Sequence, residues 1–245
     1  MRKYISILAV ALAALFVATS CELEGGTEAN PNRANHLLWN RVQSSLNDQY
    51  EYVTAVAHLN DTLCGAEHTH LYYDLCEITK FEEGYTLHYL HRNCSYKIVT
   101  AGKRLDEGGE WTIYVKYGSY MGFEKMGKAT GFAGEATKFV LEIEDVRGIS
   151  FAYYDILKSE VEYSHNDYER CLDVVYNEIE GYSTDRYTAV SEYSVEFNLA
   201  EPLVYCDGAW QSGEVDIHYN DYVLHTERAL KVKIANKFIT FVPLN

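Results

Sequence analysis

Between Arg33 and Cys64 neither Gly nor Pro interrupts the chain, and apolar positions recur with helical spacing. Trp39, Val42, Leu46, Val53 and Val56 follow one another at intervals of three, four, seven and three residues, which places them on one helical face. Leu38, Tyr50 and Ala57 widen that stripe. Asn32 or Asn35 can cap the start, and Gly65 stands where a glycine ends a helix in the left-handed conformation. The pattern predicts a helix over 33–64, about 48 Å long if continuous. Asn47-Asp48 and Asn60-Asp61 are its weak points. The stripe also fits a heptad, but it spans fewer than four repeats and puts Gln49 and Asn60 on the seam. A helix packed on a sheet is the better reading.

After Gly65 the period falls to two. Thr69–Lys80, Tyr85–His91, Ser95–Ala101, Trp111–Tyr117, Thr137–Val146, Phe151–Lys158, Glu160–His165, Tyr168–Glu180, Tyr187–Leu199, Glu214–Tyr219, Tyr222–Ala235 and Phe238–Val242 read as strands, rich in Tyr, Val, Ile, Phe and Thr. Gly108-Gly109, Asn166-Asp167, Asn220-Asp221 and Ala235-Asn236 are the expected hairpin tips. The glycine-bearing run from Gly122 to Gly134 reads as a flexible loop or irregular strands. No long helical pattern occurs beyond residue 65, which argues against βαβ units. The expected fold is mainly β: an antiparallel sandwich or one long curled meander, with the N-terminal helix packed on the sheet.

Two stretches repeat. Residues 160–168 read EVEYSHNDY and residues 214–222 read EVDIHYNDY. Each looks like a strand running into an Asn-Asp turn, and equal distances to the turn predict that Val161 and Val215 share an orientation, as do Tyr163 and Ile217. Convergence on good turn residues is the better reading, and a duplicated unit of about 54 residues is the alternative, since nothing outside the nine residues matches well.

The beginning of the chain has a different character. Arg2 and Lys3 precede an uncharged run of thirteen residues, Ile5 to Val17, then Ala18-Thr19-Ser20 and Cys21. A helix of that length rises only about 20 Å, short of the roughly 30 Å hydrocarbon core of a bilayer. These residues resemble a bacterial lipoprotein signal peptide whose lipobox ends in Cys. The resemblance covers residues 1–21. It implies removal of residues 1–20, acylation of Cys21 on its thiol and new amino group, and a place in the bacterial cell envelope, at the outer membrane or cell surface. Residues 22–32, polar and acidic, read as a flexible tether, and 33–245 as a single β-rich domain. An acidic stretch after the lipid-bearing Cys is also similar to the surface-export signals of some Gram-negative lipoproteins.

Without residues 1–20 the chain keeps 19 basic and 36 acidic residues, a formal charge of −17. Such a chain repels phosphate backbones, which excludes nucleic acid as an expected partner, and anionic head groups, which leaves the lipid as its membrane contact. Five cysteines lie beyond Cys21: Cys64, Cys76, Cys94, Cys171 and Cys206. An exported protein can form disulfides, but an odd number leaves at least one thiol over, and reduced cysteines buried as small apolar residues are an equal alternative.

Candidate chemistry is sparse. His68 and His70, alternate residues on a predicted strand, would face the same way as two metal ligands do, with Glu67 and Asp74 near in sequence; no second cluster completes a site. His88 and His91, three apart, would face oppositely. No GxSxG elbow, phosphate-binding glycine loop or CxxC pair occurs, so no catalytic residue and no cofactor is expected. A Cys–His pairing assembled only in the fold stays open. Trp111, Trp210, Tyr153 and Tyr154 are candidates for a flat aromatic surface suited to sugar rings or a protein partner, with core filling as the alternative. The expected function is a non-catalytic binding or scaffold role, for a glycan or an envelope protein. The rivals are a hydrolase whose site forms only in the fold and an adhesin or assembly subunit that pairs through sheet edges.

Overall fold

The computed structural model describes residues 31–66, 76–90, 94–119, 122–143, 146–147, 152–166, 171–185, 190–206, 209–221 and 226–244. The chain divides into two compact units, Met1–Leu38 and Trp39–Asn245. The described part of the first is the opening of a helix; the second carries the rest of that helix and every described strand.

The protein is mainly β, one antiparallel meander with one long helix. Helix α1 runs from Pro31 to Cys64, 34 residues, without a break. Pro31 stands at the first helical position, where its missing N–H costs nothing. The helix stops in a double-bonded cap. Gly65 takes φ +71, its N–H reaches the Thr62 carbonyl, and the Ala66 N–H reaches the Asp61 carbonyl. Asn60 and Asp61 do not interrupt it, because their side chains are spent on a neighbouring strand and not on their own backbone.

The strands are β1 (Cys76–Phe81), β2 (Gly84–Tyr89), β3 (Cys94–Val99), β4 (Glu110–Tyr117), β5 (Glu124–Gly131), β6 (Lys138–Ile143), β7 (Val146–Arg147), β8 (Ala152–Asn166), β9 (Cys171–Asp185), β10 (Val190–Phe197), β11 (Leu203–Cys206), β12 (Ala209–Asp221), β13 (Thr226–Ala235) and β14 (Phe238–Leu244). They form a single 14-stranded sheet in the order β1-β2-β3-β4-β5-β6-β8-β9-β10-β12-β13-β14. The short β7 lies on β8, and β11 pairs with both β9 and β12. Because β10 and β11 pair with the same two neighbours, they are two pieces of one strand, interrupted by an excursion at 198–202.

Burial alternates as the sequence predicts. Tyr96 and Ile98, Trp111, Ile113 and Val115, and Phe139, Leu141 and Ile143 point inward, with Lys97, Thr112, Tyr114, Val140 and Glu142 between them. The run from Gly122 to Gly134 is more regular than expected: β5 occupies its centre and buries Met126 and Ala129.

The helix departs furthest from expectation. Tyr52 to Asp61, ten consecutive residues, are each no more than 4 % exposed, so the burial goes around the helix and is not confined to one face. Its contacts explain this. His58 meets Tyr89 of β2, Tyr52 meets Tyr96 of β3 and bonds Tyr117 of β4, Asn60 and Asp61 bond residues of β8, and Tyr50 stacks on Tyr205 of β11. Strands near the beginning, middle and end of the sheet all touch one helix, so the sheet wraps it.

All four expected tips are corrected. β12 remains paired through Asp221↔Thr226, so Asn220-Asp221 belong to a strand and 222–225 make the connection. Asn166 closes β8 opposite Cys171, which also excludes a two-residue tip at Asn166-Asp167. The shared orientation holds: Val161, Val215, Tyr163 and Ile217 are all buried. Gly108-Gly109 ends a 3-10 turn, Leu105–Glu107, and is not a hairpin tip. The β13–β14 hairpin tip falls one residue beyond the predicted one. Ala235 pairs with Phe238 around Asn236 (φ +50) and Lys237 (φ +69), the left-handed pair of a type I′ turn.

Candidate functional site

Of the four aromatic candidates, Trp111 and Trp210 take the core-filling alternative. Trp111 is 0 % and Trp210 3 % exposed. Trp111 donates from Nε1 to the Lys103 carbonyl at 2.7 Å, and Trp210 packs edge-on against Tyr205 at 4.9 Å. Both indoles fill the core, because their strands put them on the wrapped face. Tyr153 and Tyr154 lie on β8 opposite Thr184 and Ser183, and their side chains are outside the described residues, as are His68, His70 and Cys21. Among the described residues no group of three or more His, Cys, Asp or Glu side chains converges as metal ligands would. His88 is exposed on β2 and shares a 2.8 Å hydrogen bond with Ser95. Cys64, Cys76, Cys94 and Cys206 carry thiols and not disulfides. For Cys76 and Cys94 the register gives the reason: both pair with Tyr89 from opposite sides. That leaves them about 9–10 Å apart, beyond the reach of a disulfide. Burial pushes the Cys76 thiol up to about 12, so it stays protonated.

Two constellations remain that sequence reasoning missed. The first is a polar chain at the end of α1. His165 Nε2 lies 2.6 Å from Asp61 Oδ2. The Tyr163 hydroxyl is 3.0 Å from Asp61 Oδ1 and 2.5 Å from the Ala136 carbonyl, and its one proton serves either in turn. Asn60 Nδ2 donates to Tyr163 Oη at 3.0 Å and to the Ala136 carbonyl at 2.5 Å. Toward the surface, Cys64 Sγ lies 3.3 Å from Arg104 Nη2, and Arg104 grips Asp106 with Nε at 2.9 Å and Nη2 at 2.5 Å. The guanidinium holds the Asp106 carboxyl below its usual range, while burial, then Asp106, raises the Cys64 thiol.

A buried Asp oriented on a His is half of a hydrolytic triad, and the other half is a nucleophile on the imidazole. Cys64 is the thiol at the end of this chain of contacts, but it faces Arg104 and its raised pKa is the opposite of activation. The groups of Asp61 and Tyr163 are committed to joining α1 to β8 and to the 132–137 connection. The arrangement is a clasp.

The second constellation is a recess of about 490 Å³ lined by Glu201, Pro202, Val204, Gln211, Ser212, Gly213, Ile234, Ala235 and Asn236. Its floor is a cross-strand row. Val204 pairs with Ser212, Ser212 with Ala235, and Ala235 with Phe238, so the four side chains share one sheet face. Ser212 and Ala235 are small and exposed, which leaves the row hollow. The face is the outer one, since Leu203, Val215 and Ile234 alternate inward. The far wall is the 198–202 excursion. It rests directly on Gly213, whose φ is +124 and where a Cβ would stand 2.7 Å from both Leu203 Cα and the Pro202 carbonyl. Beside the recess, Glu214 is bonded by Lys233 and, at 3.3 Å, by Lys231, and these lysines hold its carboxyl low.

Comparison of the chain with protein-family models, curated proteins and solved structures finds no match.

Proposed function

We propose that this protein is an exported bacterial lipoprotein, held in the envelope at the outer membrane or cell surface by acyl chains on Cys21, and that its folded domain has a non-catalytic binding role. The basic start, the thirteen-residue apolar run and Ser20-Cys21 support the anchor. The binding role rests on one observation: among the described residues α1 is buried on all sides over Tyr52–Asp61, while the outer face of the sheet carries an open recess. Eight large apolar side chains of α1, Trp39, Val42, Leu46, Tyr50, Tyr52, Val53, Val56 and Leu59, are buried against the sheet. At about 1.5–3 kcal/mol each, withdrawing the helix costs roughly 12–24 kcal/mol, at least as much as a typical domain's stability. The helix is therefore a permanent core element, and a ligand meets this protein on its exterior.

The anchor is tested by metabolic labelling with a fatty acid and by membrane fractionation. Cys21→Ala should abolish the label and release the protein; a wild-type chain that is soluble and unlabelled refutes the anchor.

A second reading, assembly through sheet edges, draws on β14. It ends the sheet with no charged residue from Phe238 to Leu244 and with Phe238 and Val242 exposed. Such an edge invites strand addition, and within β14 Pro243 is the residue that opposes it. Concentration-dependent oligomers in sedimentation experiments, lost in Val242→Lys, would favour it.

A further inference from the structure

We propose that the recess on the outer face is a subsite for a neutral saccharide, with Phe238 as the platform on which one sugar ring stacks; this deepens the binding role above and rests on it.

A lone exposed phenylalanine is ordinary on a protein surface. This one is 77 % exposed, the most exposed large hydrophobic side chain among the described residues. It also terminates the row Val204–Ser212–Ala235–Phe238, three members of which line the recess. Adjacent strands lie about 4.8 Å apart, so Phe238 stands one strand spacing from Ala235, beside the hollow that small side chains leave open. The type I′ turn at Asn236-Lys237 fixes its position, because both residues between Ala235 and Phe238 are locked at positive φ.

The remaining lining selects the ligand class. Glu201, Ser212 and Asn236 supply a carboxylate, a hydroxyl and an amide, while Pro202, Val204 and Ala235 supply apolar surface. A sugar ring has this division, with C–H faces that suit an aromatic plane and hydroxyls that take both donors and acceptors. Gln211 is partly withdrawn, since its Nε2 donates to the Cys206 carbonyl at 2.6 Å. No lining residue is cationic, and Glu201 adds negative charge to a chain of −15 overall, so uronic acids, phosphates and sulfated sugars are disfavoured. The volume, about 490 Å³, accommodates one or two hexose units.

The test uses the full lipidated chain in micelles of a detergent without sugar head groups. Affinity electrophoresis through gels containing laminarin, mannan, xylan or, as the acidic comparison, polygalacturonate reads binding directly. At least one neutral polysaccharide should retard the protein and polygalacturonate should not. Phe238→Ala should weaken that retardation about tenfold or more, as loss of a central aromatic does. Ala235→Trp, which fills the hollow at an exposed position, should abolish it. Phe81→Ala, on β1 and outside the recess lining, should change nothing. Circular dichroism melts of these variants exclude unfolding as the cause. Absence of retardation by every neutral polysaccharide, or retardation unchanged in both Phe238→Ala and Ala235→Trp, overturns the saccharide assignment. A photoreactive phenylalanine at position 238 separates the two levels of failure. A crosslinked envelope protein in place of a saccharide overturns the ligand class and leaves a binding role standing, whereas neither adduct nor retardation overturns both.

Discussion

His58 offers the sharpest physical test of the wrapped helix. Burial among α1 and the sheet lowers its pKa from 6.5 to about 3, so the folded protein keeps the imidazole neutral while the unfolded chain protonates it normally. Its carbonyl serves the helix end, accepting from Thr62 Oγ1, and its ring meets Tyr89 edge-on at 6.4 Å. A group whose proton is bound more tightly by the unfolded state destabilises the fold wherever the unfolded state is the more protonated. For His58 that window runs from its ordinary value of 6.5 down to about 3. Within it, stability falls by about 1.4 kcal/mol for each unit of decreasing pH. Between pH 7 and pH 5 the contribution amounts to about 2 kcal/mol. Carboxylates titrate over much of the same range, so the wild-type profile alone does not isolate the histidine. The comparison with His58→Leu does, because the carboxylates are common to both proteins. Urea unfolding followed by tyrosine and tryptophan fluorescence at pH 7, 6 and 5 should show the wild type losing about 2 kcal/mol more than the variant over that range. The absolute stability of His58→Leu at pH 7 is immaterial to this difference. Parallel profiles for the two proteins would mean that His58 is hydrated in the folded state, and the all-round burial of α1 would be wrong.

Three other contacts give measurable outcomes. Gln49 is fully buried on the helix stripe between Leu46 and Val53, and neither amide atom has a hydrogen-bond partner, so Gln49→Met, similar in volume, should raise stability by about 1–3 kcal/mol in urea titration; a loss would show that the amide is satisfied after all. Asp61→Ala should cost roughly 3–5 kcal/mol by stranding His165 and Tyr163, and a double-mutant cycle with His165→Ala should return a coupling of at least about 0.5 kcal/mol, additive losses meaning that the 2.6 Å contact is not formed. Gly213→Ala should destabilise by at least about 1 kcal/mol, since the new methyl meets Leu203 and Pro202 backbone atoms 2.7 Å away at a strained φ, and unchanged thermal unfolding would show that the 198–202 excursion does not rest there.

The alternation of Tyr, Val, Ile and Phe after Gly65 was enough to assign an antiparallel β protein, because a half-buried strand imposes a period of two on its own residues. Helix α1 was equally legible from Trp39, Val42, Leu46, Val53 and Val56, and Gly65 marked its end. Even the likeness of residues 160–168 to 214–222 carried correct information, the inward direction of Val161 and Val215, although the turns themselves fall elsewhere. Local pattern could not say whether the sheet closes on a second sheet or on the helix. That depends on how far one sheet curls, which accumulates over all its strands. It is this curl that surrounds the polar residues Thr54, His58, Asn60 and Asp61 as well as the apolar stripe. It also turned Trp111 and Trp210 from surface candidates into core. The clasp of Asp61 on His165 joins residues 104 positions apart, and the hollow beside Phe238 joins three strands with the excursion that interrupts one of them. Neither leaves a mark in the spacing of residues along the chain, because the distances that define both run across the sheet, where only the register of one strand on the next decides what meets.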